Sequence, residues 1–132
     1  MRTAVPTTTV ETPLDGAPFR RRVAKDLTFW WRRHGVDPAH VVTRFLPGAA
    51  DRVFLGPFPN AGDRAEVPFA FVVCVLAADR DAAFRAAYAR QVRRVLGPDI
   101  PPERVFVAMQ STDPADHFTP TSDWGTEENT HD

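Results

Sequence analysis

A chain of 132 residues with 43% hydrophobic and 25% charged residues has the size and balance of one globular domain, which excludes a multidomain enzyme and a disordered polymer. Sixteen Lys and Arg against seventeen Asp and Glu leave a formal net charge of −1, so no global field draws in nucleic acid or an anionic membrane, and neither partner is expected. No apolar run is long enough to cross a bilayer, and the opening Met1 to Pro6 lacks the apolar core of a secretory leader, so the expectation is a soluble cytoplasmic protein.

Thr3 to Thr12 is rich in Thr and Val and reads as a strand, with Pro6 marking an edge or a strand start. Leu14 to Pro18 offers a helix start, and Phe19, Val23, Leu27, Trp30 and Trp31 then recur at helical spacing as far as His34-Gly35. Val41 to Leu46 is a second strand, Arg52 to Leu55 a short third strand or ribbon, and Gly56 to Pro68 a long Gly/Pro/Asn-rich loop of the kind that carries binding residues. Phe69 to Leu76 is the strongest strand, and its unbroken apolar character predicts a central strand covered on both faces. Within it Cys74, the single cysteine, is expected to be a buried, inert thiol, and its count excludes an intramolecular disulfide. Asp79 or Asp81 caps a second helix bearing Phe84, Tyr88, Val92, Val95 and Leu96, which Gly97-Pro98 ends. Val105 to Met109 is the last strand, and the polar end of the chain from Thr126 is expected to be disordered.

The two halves match at an offset of 65 positions, which lays Phe19-Arg20 on Phe84-Arg85, Leu27 on Val92 and Val41-Val42 on Phe106-Val107. An internal β-α-β repeat follows. Two such units, each with a right-handed crossover, predict an α+β fold: a four-stranded sheet with two helices on one face. The uncovered face of that sheet then calls for another subunit.

This layout resembles the tautomerase superfamily. Arg52-Val53-Phe54-Leu55-Gly56, the following Gly62-Asp63, and Asp79-Arg80-Asp81-Ala82 at the start of the second helix look most like the cis-chloroacrylic acid dehalogenase group. The resemblance implies a tautomerase-like domain over residues 1–114, a C-terminal extension over 115–132, and a homotrimer with its sheets around a central axis. It also implies a free amino-terminal proline as acid or base, a position that falls near Thr3 here; in the intact chain Pro6 has an amide nitrogen without basicity. The relatives' helix histidine falls at about Trp30, their first arginine near Ala77, their strand tyrosine near Ala108 and their late carboxylate near Pro120. Only the second arginine is matched, by Arg80, so the relatives' water-activating dehalogenation is not expected.

The candidate site residues follow. Arg80, past the strongest strand and at a helix start, suits a carboxylate or phosphate, although an ion pair with Asp79, Asp81 or a neighbouring subunit would occupy it equally well. Arg44 is a second candidate anion ligand if its side chain points inward, and Trp30 either joins the core or floors an apolar pocket. Among the histidines, His117 in Asp113-Pro114-Ala115-Asp116-His117 is the candidate acid/base, while His34 reads as a helix-end cation and His40 as a loop residue. The arginine runs at 20–22 and 32–33 read as a solvated helix face. No metal-ligand spacing, phosphate-binding glycine loop or nucleophile motif is present, so no metal or cofactor is expected. The leading expectation is a small-molecule isomerase, tautomerase or cyclase-like enzyme acting on an anionic or enolisable substrate without an amino-terminal amine. Its Ala/Arg/Pro/Asp-rich composition points to a bacterial source, with specialised metabolism as a setting. The alternative is a non-catalytic binding protein, or a structural subunit of a hetero-oligomer, which the missing family positions favour.

Overall fold

The computed structural model describes residues 6–59, 67–120, 122, 124 and 125. Strand β1 is Thr7–Thr12, with Pro6 immediately before it as a strand start. Helix α1 spans Ala17–Arg33 with Pro18 in its first turn, where a missing N–H costs nothing, and Gly35 at φ 86° turns the chain out of it. Strand β2 is Val42–Pro47, and β3 (Phe54–Leu55) and β4 (Phe58–Pro59) form a two-residue ribbon around Gly56. The long loop lies in part outside the described residues, as do Gly62-Asp63 and the chain end from Thr126. Strand β5 is Ala70–Ala77, α2 is Ala82–Leu96 and β6 is Val105–Thr112. Of the two candidate caps it is Asp81 that holds α2, accepting a hydrogen bond from the Phe84 N–H at 2.8 Å.

The main sheet runs β2-β1-β5-β6, with β1/β2 and β5/β6 parallel and β1/β5 antiparallel. The expected duplication is therefore present, and the offset of 65 carries Thr12 onto Ala77, Ala17 onto Ala82 and Pro47 onto Thr112, each pair being equivalent element bounds. Right-handed crossovers in units that meet head to tail place both helices on the same face. The core fills that interface: Val10, Val72, Cys74 and Leu76 from the sheet meet Val23, Leu27, Trp31, Tyr88, Val92 and Leu96 from the helices.

Within one chain the cover expected on both faces of the strongest strand is present on one. Strand β5 is covered on one face only, since its residues alternate and Val73 remains 42% exposed. The opposite face of the sheet also exposes Val42, Leu46 and Phe106, and the rings of Phe71 and Phe106 stack across β5 and β6 at 4.9 Å. An apolar residue on both sides of a strand hides its period of two, so a half-covered strand and a fully covered one read alike.

Beneath the sheet the Thr8 and Tyr88 hydroxyls share a hydrogen bond of 2.5 Å, and Cys74 is the register partner of Thr8. Burial pushes the Cys74 thiol from its ordinary 9.0 up to about 11, against a smaller lowering by Thr8, and burial likewise raises the Tyr88 phenol. The unfolded thiol thus releases its proton first. Stability from Cys74 is complete below pH about 9 and is lost as the pH rises towards about 11. Folded protein is expected to resist iodoacetamide near neutral pH and to react once unfolded in urea, and Cys74→Ala should flatten part of the alkaline loss of stability seen in denaturant titrations. Rapid alkylation of the folded chain would contradict the burial.

Candidate active site at the head of the first strand

Parallel pairing brings the starts of β1 and β2 together, and the antiparallel β1/β5 join sets the ends of β5 and β6 beside them. The end of α1 and the start of α2 reach the same end of the sheet, because each helix runs back along its unit. His34, His40, Arg80 and His117 all lie in connections at this end. Positions far apart in the chain thereby share one rim.

Two turns of the same construction place two of these histidines. In Asp37-Pro38-Ala39-His40 the Asp37 carboxylate accepts from the Ala39 N–H at 2.9 Å, and in Asp113-Pro114-Ala115 the Asp113 carboxylate accepts from the Ala115 N–H at 2.9 Å. Each Asp caps one turn of helix whose first residue is proline, and a histidine follows at its end. After β6 the chain crosses the sheet end to reach β2, where Thr119 and Ser122 close a turn through hydrogen bonds of 2.8 and 2.9 Å. A cavity of about 400 Å³ results, lined by Thr7, Ala39, His40, Val42, His117, Phe118, Thr119 and Pro120. His117 turns its Nδ1 away from solvent. Two imidazoles and two threonines against Val42 and Phe118 make a pocket of mixed polar and apolar lining, of a size that admits a small molecule.

Of the sequence candidates, His117 lines this cavity, and the others stand elsewhere. Arg80 holds its guanidinium 4.5 Å above Phe84 and 5.7 Å from Trp31, with no ion pair to Asp79 or Asp81. Trp30 is 7% exposed in a cluster with Trp31, Phe84 and Tyr88, and His34 stacks on it at 3.9 Å while donating through Nδ1 to the Trp30 carbonyl. That cluster lies on the helix side of the rim. Arg44 points to the open sheet face opposite Thr9, one pleat from Val42, so it stands about 7 Å along β2 from the cavity wall. It does not face the helix-side core.

Thr7 was missed by sequence reasoning, and His40 was read only as a loop residue. A usable signal existed, since Asp-Pro-Ala recurs at 37–39 and 113–115 and each copy leads into a histidine. The position expected to match the relatives' proline, near Thr3, lies outside the described residues. The residue that directly precedes β1 is Pro6, buried, with its carbonyl accepting from the Val42 N–H at 2.9 Å.

This sheet and its two same-side helices define a tautomerase-like α+β fold. No protein-family model and no curated protein matches the chain. Solved structures similar to it include a fused 4-OT described as a symmetric trimer, at 17% identity and TM-score 0.72 over 87% of this chain and 92% of that one. The macrophage migration inhibitory factor of Toxoplasma gondii is similar at 12% identity and TM-score 0.69, covering 88% of this chain and 97% of that one. Pt0534, in a structure inactivated by 2-oxo-3-pentynoate, shares 13% identity at TM-score 0.72 over 87% of this chain and 92% of that one. At such identities the likeness establishes the fold.

Proposed function

We propose that the chain is a small-molecule isomerase of the tautomerase or cyclase type, acting on an anionic, enolisable substrate such as a 2-oxo acid. The observation that carries this reading is the convergence of His117 and His40 on one cavity at the head of β1. The inactivation of the structurally similar Pt0534 by a 2-oxo acid supports the substrate class. In the reaction, one imidazole takes a proton from the carbon beside the carbonyl, and the C–H electron pair moves into the enolate. The other imidazole gives a proton to the enolate oxygen or to a conjugated carbon, so atoms balance and the product is an isomer. In the intact chain the Pro6 nitrogen is an amide and supplies no base. Of the dehalogenase group's positions only Arg80 is matched, so dehalogenation is not the proposed reaction.

Ketonisation of phenylenolpyruvate and related enols, followed by absorbance, tests the acid/base assignment. His117→Gln and His40→Gln are each expected to lower kcat/KM by about 10²–10⁴-fold with folding intact. Intact mass is read on the same sample. A chain starting at Pro6, whose activity survives both histidine changes and vanishes in Pro6→Ala, would move the base to an amine. Ligand binding without turnover would select the non-catalytic alternative.

Arg80 and Arg44 lie outside the cavity lining, one over Phe84 and Trp31 and the other on the open sheet face, and we take them as the groups that reach the substrate's anionic end. A charge-assisted contact is worth about 1.5–3 kcal/mol, so each Ala replacement is expected to weaken binding of a 2-oxo acid about tenfold to a hundredfold. Arg80→Lys should recover only part, because it keeps the charge and loses the planar fork. A drop in thermal stability with affinity unchanged in Arg80→Ala would make its seat over Phe84 and Trp31 structural.

A homotrimer completes this reading, built on the open sheet face with its Val73, Phe71 and Phe106. The fused 4-OT of similar fold is itself described as a symmetric trimer. Sedimentation should give three times the chain mass, and Val73→Glu should dissociate the assembly. A stable monomer at micromolar concentration would refute the interface.

A further inference from the structure

Helices α1 and α2 carry ten of the sixteen Lys and Arg residues and only one of the seventeen acids, Asp26. Their formal charge of +9 stands against −1 for the whole chain. In the sequence these are separate arginine runs, but the fold packs the two helices side by side on the outer layer. Internal partners take up some of them. Arg20 pairs with Asp15 at 2.8 Å, Arg22 pairs with Asp99, and Arg85 donates to the Arg80 carbonyl. Arg94 meets only the neutral Gln91 amide oxygen, at 2.6 Å, and Arg21, Arg32, Arg33, Arg90 and Arg93 meet no acid among the described residues.

Between the helices runs a groove of about 280 Å³ lined by basic and apolar side chains together with Asp26 and Gln91. Arg22, Arg33 and Arg94 line it beside Phe29, 41% exposed, with Val95 and Pro98. Such a groove between antiparallel helices has the shape into which a third helix packs, ridge into groove.

We infer that this groove docks an acidic amphipathic helix of a protein partner, an interaction independent of the catalytic reading. Carboxylates on the partner would meet Arg33 and Arg94, while one apolar residue would seat on Phe29. A nucleic-acid backbone fits less well: phosphates gain from cations alone, and here Phe29, Pro98 and Asp26 interrupt the positive surface. A membrane surface fits less well again. Insertion needs a row of large apolar residues on the helix face, and the two helices expose only Phe29.

The probe is a synthetic amphipathic helix with glutamates on one face and leucines on the other, titrated into isotope-labelled full chain. Amide shifts are expected in α1 and α2 around Phe29, Arg33 and Arg94. The double charge reversal Arg33→Glu with Arg94→Glu should weaken binding on the order of tenfold or more, through exposed side chains that leave the fold intact. Phe29→Ala should weaken it several-fold at unchanged charge, a loss that diffuse attraction would not produce. The inference is overturned if the peptide does not bind at millimolar concentration, if shifts fall on the sheet, or if Phe29→Ala has no effect. It is equally overturned if a scrambled peptide of the same charge, a DNA duplex or an anionic vesicle binds as tightly as the helix.

Discussion

The antiparallel junction of β1 and β5 is the constraint on which the rest of this molecule depends. Each half is a parallel β-α-β unit with a crossover of fixed hand, so the way the halves meet decides where everything else lies. Joined head to tail through their first strands, they send both helices to one face and leave the other bare. The same junction gathers two strand starts and two strand ends at one rim. Core, open face and site are three consequences of one pairing.

At that rim the chain solves a local problem twice in the same way. A connection must leave an element, turn within a few residues and present a side chain towards the sheet end. An Asp cap with proline in the first turn does this cheaply: the carboxylate satisfies a backbone N–H, and the ring needs no donor partner. His40 and His117 emerge from these turns to line one cavity. The aromatic cluster of Trp30, Trp31, Phe84 and Tyr88 closes the helix side of the rim, with Arg80 and His34 laid against its rings rather than into the cavity. Stacking on an aromatic face suits a planar guanidinium that has no carboxylate beside it.

The two outer faces of the layer pair make opposite demands. The sheet presents Val73, Leu46 and Phe106, which gain by leaving water, whereas the helices present arginines that stay in it. An assembly that uses the first face leaves the second outside. A near-zero net charge therefore conceals a strong internal asymmetry, with the positive excess on the helices balanced by acids on the strands, turns and chain ends.

By itself the sequence determined the elements and their duplication. Helical periodicity placed Leu27, Trp31, Tyr88 and Val92 in the core, Pro18 and Gly35 bounded α1, and the offset of 65 revealed the two units, because these signals act within a few residues or repeat along the chain. Only the tertiary structure decided which face of β5 is covered, because its side chains are apolar on both faces and the choice rests on where the crossovers send the helices. It alone decided that Arg80 sits on the rings of Phe84, four residues on, and of Trp31 in α1, about fifty residues away, rather than beside Asp79 or Asp81. His40 and Arg44 changed meaning for the same reason: one entered a cavity with a turn from the far end of the chain, and the other was set on the open face by its register with Thr9. Contacts between distant segments carry no local pattern, so residue type and spacing named the chemistry and the fold decided which groups meet.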